Sequence, residues 1–582
     1  MIRFMPTRHG PAHVVTTTRE YKGRVYRTHL LRRSYREDGK VKNETLGNLS
    51  HLPESLIDII RRSLQGETFV PLAQAFEVIR SRPQGHVHCV ATAMHRLGLA
   101  SLIASQPSRQ RDLVLAMIAS RIVEPNTKLA TTRLWHTSTL AEDFGVGDAD
   151  EDDLYAAMDW LLARQDAIQK KFAARHLSAG AMVLYDLSSS YFEGSTCPLA
   201  RRGYSRDGKP GTLQVNYGLL SDARGCPVAV SVFEGNVADS TTFMPAVQRV
   251  REDFGLAQVV MVGDRGMVSQ KAIDELRHTD GMGWITALKS SSIRALLEQD
   301  QLQMGLFDER NLVELQSPDY PGERLVACRN DALAKLRAFK REELLRATED
   351  SLAKIKVGVD AGKLAGQDKI GLRVGKVINK YKVAKHFELA IGEASLSWQR
   401  RQQHIEQEAA LDGLYIIRTS VSREQMDAPE AVRSYKSLAQ VERAFRSLKT
   451  VDLKVRPIHH RLADRVRAHI FLCMLAYYVE WHMREAWREL MFADTDLQAK
   501  ATRDPVAPAQ RSTAAQKKAH SHALPNGEPA HSFATLMAEM AGIVSNTCRT
   551  PGAALDTPTF EVLTIATAHQ QRALALVDAI RA

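Results

Sequence analysis

The sequence predicts an α/β protein: a mixed sheet flanked by helices, interrupted by an insertion domain, with a mainly helical N-terminal region and a helical C-terminal tail. Three observations predict it. The hydrophobic period changes near residue 180 from helical spacing to strand-like runs. From 181 to 288 those runs follow in the order strand, strand, strand, helix, strand, helix, strand. From about 290 to 410 a charged stretch departs from that rhythm before a further strand and a long helix.

The N-terminal end is basic. Residues 19 to 42 hold nine Lys or Arg against three acids, interleaved with Tyr21, Tyr26 and Tyr35. Alternation over Val25 to Leu30 and a turn at Glu37-Asp38-Gly39-Lys40 predict a β-hairpin within residues 1–53. Its arginines, Arg32, Arg33 and Arg36, are candidates to grip a DNA backbone, with a solvated basic edge strand as the alternative. Residues 54–178 read as a helical domain, carrying runs such as Asp112 to Arg121 and Asp153 to Ala163, and are expected to share in DNA end recognition.

The next range, 179–289, opens with AMVLYDLSSSYF (181 to 192), continues with TLQVNYGLL and PVAVSVF, and passes the turn Asp222 to Gly225. A helix from Asp239, a strand ending at Gly263, a helix from Val268 and the strand GWITAL come next. This order describes the first half of an RNase H-like core. Residues 290–410 form the expected insertion domain, helix-forming over Lys335 to Arg346 and strand-like over Lys376 to Tyr381. The core resumes over 411–490 with a strand at Gly413 to Thr419 and a long helix over 422 to 449. The Ala/Pro/Lys/His bias near 491–533 predicts a flexible linker, and 534–582 a helical end.

Two acids interrupt apolar strands. Asp186 lies inside Leu184-Tyr185-Asp186-Leu187, and Asp264 closes the fourth strand. An acid there is costly unless paired or bound to a cation. First and fourth strands are neighbours in such a sheet, which brings both carboxylates to one edge; Asp264 could equally be a turn residue. A third acid, Glu442, shares a helical stripe with Tyr435 and Lys449 at sevenfold spacing, with Leu438 and Phe445 between them. Glu193, Glu234 and Asp239 read as turn or cap residues near the site, with a supporting role behind the carboxylates as the alternative, and His459-His460 as ordinary contacts rather than a metal pair.

Several classes are excluded. The longest apolar run, Ile470 to Val479, is too short to span a bilayer, so no membrane role is expected. The N-terminus lacks the apolar core of a signal peptide, and six scattered cysteines without a CxxC pair suit reduced thiols in a cytoplasmic protein. The net charge of +11 favours a polyanionic partner.

The runs YDLSSSYFEG, VFEGNVADS, VGDRGMVS, DGLYIIRTS, YKSLAQVERAFRSLK and RPIHHRLADRVRAHIFLCMLAYYV together resemble DDE-type insertion-sequence transposases. The likeness is to the IS-four superfamily and its sixteen-thirty-four branch, over about residues 180 to 480. Its most specific element is a Tyr, Arg, Glu, Lys signature, met here by Tyr435, Glu442 and Lys449, with Leu438 where the family usually has Arg. Arg443 and Arg446 are the nearby candidates to replace that DNA contact. The resemblance implies that Asp186, Asp264 and Glu442 bind two Mg2+ ions, for which Mn2+ can substitute, and catalyse cleavage and strand transfer. It implies double-stranded DNA as partner, at element ends and target, a homodimer in the synaptic complex, and the bacterial nucleoid as location. A structure-selective nuclease without strand joining and a non-catalytic DNA-binding descendant are the other classes weighed.

Overall fold

The computed structural model describes residues 10–37, 39–69, 71, 75–303, 305, 307–552 and 557–581. The chain divides into two compact units, Met1–Ser81 with Ser545–Leu563, and Arg82–Val544 with Thr564–Ala582.

The first unit opens with three antiparallel strands, β1 (Ala12–Tyr21), β2 (Arg24–Glu37) and β3 (Lys40–Asn48), with β2 in the middle. The expected hairpin is thus a three-stranded meander. Its first turn is Lys22-Gly23, both at positive φ (51° and 72°), the backbone that a two-residue hairpin loop requires. At the second turn, the expected Asp38 lies outside the described residues. Helix Glu54–Leu64 packs on β1, and its Glu54 takes Arg27 at 3.1 Å. After it comes β4 (Glu77–Pro83), a strand inside the range expected to be wholly helical.

Helices dominate the start of the second unit, among them Gly85–Arg96, Arg109–Val123, Glu151–Leu162 and Gln165–His176. The central sheet then takes β5 (Ala181–Tyr191), β6 (Arg201–Arg202), β7 (Leu213–Asp222), β8 (Pro227–Glu234), β9 (Val259–Gly263) and β10 (Met282–Ala287). It is a mixed sheet: β7 pairs antiparallel with β5 on one side and with β6 and β8 on the other, whereas β5, β9 and β10 run parallel.

The segment expected as a separate insertion contributes to this sheet. Two of its strands, β11 (Leu312–Leu315) and β12 (Arg324–Arg329), extend it, because β12 pairs with a later strand that itself pairs with β10. Only the rest of the segment stands apart: helices Asp331–Asp360 and Gln367–Tyr381, and the hairpin of β13 (Phe387–Ile391) and β14 (Leu396–Arg400), around their own core of Leu345, Leu352, Ile370, Val374, Phe387 and Leu396. Lys376 to Tyr381, expected as strand, is helical. Ile370, Val374 and Ile378 are buried while Leu372 and Lys376, midway between them, are exposed, which fits a helical face and not the two-residue alternation of a strand. The linking strand, β15 (Leu414–Thr419), returns the chain to the sheet.

Helix Ala463–Ala486 is buried on every face from Ala468 to Met483, packing on β8 and on helices Arg109–Val123 and Glu151–Leu162. A helix apolar all round belongs inside a protein of this size or in a bilayer. Among the described residues, no helix is long and apolar enough to cross a membrane.

The range expected as a flexible linker, 491–533, instead forms helices Leu497–Thr502 and Thr513–Ser521. Lys518 Nζ donates to the carbonyls of Glu489 (3.1 Å) and Met491 (2.9 Å), which ties the segment down in spite of its polar composition. The C-terminal end is not wholly helical. Between helices Phe533–Ala541 and Ala568–Asp578 lie β16 (Val544–Arg549) and β17 (Phe560–Leu563), and β16 pairs with β17 and β4. β4 and β16 have one cause, a pairing between chain segments more than 450 residues apart that neither segment's local pattern reveals, and β17 pairs on the other side of β16.

Within the sheet, Tyr185 of β5 lies close across Gly218 of β7. A Cβ built on Gly218 would meet the Tyr185 ring at 2.3 to 2.8 Å. Gly218→Val is therefore expected to lower stability by about 1–3 kcal/mol through overpacking, read as a lower denaturant midpoint. An unchanged midpoint would contradict this packing.

Candidate active site

The parallel pairing of β5 with β9 places Tyr185 opposite Gly263, so the next residue of each strand, Asp186 and Asp264, comes to the same edge of the sheet. The residues beside Asp186 are core: Leu184, Tyr185 and Leu187 are buried. Asp264 begins the turn into helix Gln270–Arg277. Its main-chain oxygen accepts from Met267 and Val268, and its Oδ2 from the Gly266 N–H at 3.2 Å. It is thus a turn residue as well as a cleft residue, because its Oδ1 remains to accept from the Tyr435 hydroxyl at 3.0 Å.

The expected long helix is broken. Ala428–Lys436 ends at Ser437, Leu438–Arg446 starts anew, and a wider turn runs over Ser447–Val451. The sevenfold stripe survives the break: Tyr435, Leu438, Glu442, Phe445 and Lys449 all line one cleft of about 540 Å³. Val441, Ala444 and Phe445 are buried where this helix packs on β5, which leaves Glu442 exposed to the cleft. Asp186 and Asp264 line the same cleft.

Three carboxylates from three elements therefore share one space. Burial pushes the Asp186 carboxyl up to about 7, against the pull of the Leu187 N–H and Arg206, and the Asp264 and Glu442 charges add to the rise. Like charges gathered this way favour a cation among them. The donors are all carboxylate oxygens, the set that hard divalent ions prefer.

The basic residues divide. Arg446 lines the cleft and Arg443, exposed on the same helix, does not. Leu438 forms a buried apolar part of the wall. Lys449 is buried and its ammonium binds Asp207 at 3.0 Å; burial lowers its pKa while Asp207 works against the fall. Asp207 also binds Arg456 and accepts the Tyr191 N–H at 2.9 Å. Beside it, Arg206 lines the cleft paired with Asp239. Sequence reading missed Asp207 and Arg206; Arg456 falls in the run of ten basic residues from Arg433 to Arg467 that reads as a DNA-facing surface, without its link to Asp207. The available signal was the run Arg201-Arg202-Gly-Tyr-Ser-Arg206-Asp207, an acid set among cations directly after the first core strand.

Glu234 faces Arg201 at 3.5 Å and Glu193 is exposed; neither lines the cleft. In the N-terminal sheet, alternate residues of a strand face opposite ways, so Arg32 and Arg36 share a face and Arg33 lies on the other, that of His29, which faces Glu54 at 3.7 Å. Among the described residues, the one group of three ligand-type side chains whose atoms lie within 4.8 Å of one another is the buried Cys226 with His176 and His482; Asp186, Asp264 and Glu442 line the same cleft at wider mutual spacing. The charges of Arg175 and Arg224 act on both histidines.

A family model described as the transposase DDE domain matches residues 192–479, and one described as the IS1634 family transposase N-terminal domain matches residues 14–70. The first spans Asp264 and Glu442 and begins six residues after Asp186. Among solved structures, a piggyBac transposase synaptic complex with hairpin DNA is similar at 8% identity and a TM-score of 0.33, over 78% of this chain and 77% of that one. No curated protein matches the chain.

Asp207 has almost no exposure, so Asp207→Asn leaves two cations facing a neutral amide. The expected loss is about 3 kcal/mol. Lys449 and Arg456 outweigh burial and hold the Asp207 carboxyl below its usual range. Its contribution is therefore full above about pH 3.9, the unfolded carboxyl's pKa, and is lost as pH falls through the folded value. Denaturant unfolding of both proteins should show a difference at pH 7 that shrinks on acidification; equal stability at pH 7 would refute the pairing.

Proposed function

The chain belongs to the DDE-type insertion-sequence transposases of the IS1634 type, and we propose that Asp186, Asp264 and Glu442 are its catalytic carboxylates, set on an RNase H-like core. Enzymes of this family cleave DNA and transfer strands, so the substrate is DNA. The observation that carries the assignment is the meeting of three carboxylates from β5, the end of β9 and helix Leu438–Arg446 in one cleft. The strand order β8-β7-β5-β9-β10 supports the core assignment.

The three residues would hold two Mg2+ ions, with Mn2+ able to substitute. Such ions supply activation of an attacking water or 3′-hydroxyl and stabilisation of the leaving oxygen in an in-line displacement at phosphorus. The chain's own residues do the positioning. Tyr435, by donating to Asp264 Oδ1, fixes that carboxylate's rotamer. Asp207 holds the Lys449 ammonium at the cleft wall, where it and Arg446 receive the phosphates flanking the scissile bond. Water attack nicks the element's end, and the freed 3′-hydroxyl then attacks target DNA by the same displacement. Arg443 lies outside the cleft and serves, if at all, the DNA beyond it.

The domain roles follow the same proposal. The N-terminal sheet and the helices up to residue 178 recognise the element's ends, in a homodimer that holds two ends together on the bacterial nucleoid. Arg32 and Arg36 form the DNA-facing pair, and Arg33 is set apart by strand alternation.

Two outcomes test this reading. Asp186→Asn, Asp264→Asn and Glu442→Gln should each reduce cleavage and joining of element-end DNA by at least a hundredfold while end binding persists; near-normal cleavage removes that residue from the site. Arg32→Ala with Arg36→Ala should weaken end binding and lower the slope of log affinity against log salt by about two, whereas Arg33→Ala alone should do less. Equal slopes in all three proteins would place end recognition elsewhere.

A further inference from the structure

A second cavity of about 540 Å³ lies beside the catalytic cleft, walled by helix Arg109–Val123, the turn at 125–128, helix Glu151–Leu162, residues 454–462 and the start of helix Ala463–Ala486. Its lining includes Arg121, Lys128, Lys454, Arg456, Arg461 and Arg465, and no Asp or Glu among the described residues.

What neutralises these cations is sparse. Arg121 donates to the main-chain oxygen of Asn126 at 3.0 Å, a neutral partner. Arg465 reaches the half-exposed Asp159 only at 3.9 Å and lies over the Tyr155 ring. Arg456 alone has a close carboxylate, Asp207. Lys128 is the most telling. Only 4% exposed, it has its pKa brought down to about 7 by burial and then by the Arg121 charge; the Cys473 thiol opposes the fall, and no carboxylate among the described residues does. His460 behaves alike: burial, then Lys128, Arg121 and Arg465, drive its pKa down to about 3. Lys454, at the rim, holds a left-handed backbone at φ 44° without being glycine. A buried cation with no counter-charge is costly to maintain, and a bound anion removes the cost.

We propose that this cavity is a phosphate-binding site, and that the phosphate it takes belongs to the backbone of DNA passing through the adjacent catalytic cleft. The inference rests on the transposase reading. Asp207 provides the continuity, since its one carboxylate holds Lys449 of the cleft and Arg456 of the cavity together. A strand whose scissile phosphate lies among Asp186, Asp264 and Glu442 thus finds its next strong cationic site here. Lys128 and Arg121 form the interior, where the phosphate is desolvated; Arg461 and Lys454 stand at the entrance.

The test uses full-length protein carrying Asp186→Asn, so that DNA is bound and not cut, with Lys128→Met or Arg461→Ala added. Methionine conserves the buried volume of Lys128. Each added substitution is expected to weaken binding of element-end DNA about five- to tenfold and to lower the salt slope by about one. The melting temperature of the free Lys128→Met protein should be equal to or above its parent's. Inorganic phosphate should raise the parent's melting temperature and leave that of the Lys128→Met protein unmoved. Unchanged DNA affinity and slope in both variants would overturn the proposal, as would a Lys128-dependent response to inorganic phosphate or ATP without any change in DNA binding, which would assign the cavity to a free anion. Should Lys128→Met fail to fold, the exposed Arg461→Ala decides alone. Absence of DNA binding by the parent would instead overturn the transposase reading itself.

Discussion

The register between β5 and β9 is the constraint on which the site depends. Parallel pairing of Tyr185 with Gly263 brings Asp186, within β5, and Asp264, the first residue past β9, to the same cleft. That arrangement opposes folding through like-charge repulsion and burial, as the raised pKa of Asp186 records. It persists because the strands around it are among the best-packed parts of the chain. Leu184, Val262 and Ile285 have no exposure, and Tyr185 is wedged over Gly218. Core packing thus holds in place an unfavourable polar cluster, which the divalent cations proposed for this site would relieve.

The cations are managed by the opposite device. Asp207, buried between Lys449 and Arg456, joins a loop after β5 to the chain beyond Glu442 and fixes the cleft's basic wall before any phosphate arrives. Arg206 is likewise held by Asp239. On the far side of Arg456 no acid among the described residues lines the cavity, where Arg121 has the neutral Asn126 carbonyl as partner and Lys128 is buried. One region of positive charge is therefore neutralised internally and the next is left for DNA. Helix Ala463–Ala486 underlies both, its first turns bordering the basic cavity and its buried length anchoring it to β8.

Much of this was legible in the residues. Asp186 announces itself as an acid inside an apolar strand, and the strand order after it predicts its neighbour Asp264. The seven-residue spacing of Tyr435, Glu442 and Lys449 survives even though the helix breaks at Ser437, because the restarted helix keeps nearly the same phase. The features that were not legible depend on distance. Asp207 sits in a loop with no periodic signal, and its partner Lys449 lies 242 residues on. The pairing of β4 with β16 and the entry of β11 and β12 into the central sheet are equally non-local. The basic cavity combines Lys454, Arg456, Arg461 and Arg465, which the basic run from Arg433 to Arg467 signals, with Arg121 and Lys128, which nothing in their own segment marks. Arg32 and Arg33 differ in kind: once a strand is granted, adjacent side chains must diverge.

The central claim is that the three carboxylates act by holding divalent cations, and a change of ligand chemistry tests it most directly. In Asp264→Cys a sulfur replaces the carboxylate, which Mg2+ disfavours and softer ions accept. The account predicts that this variant neither cleaves nor joins element-end DNA in Mg2+ and recovers both activities in Mn2+. Activity close to that of the unmodified protein in Mg2+, or none in either metal from a protein that still binds DNA and melts normally, would contradict it.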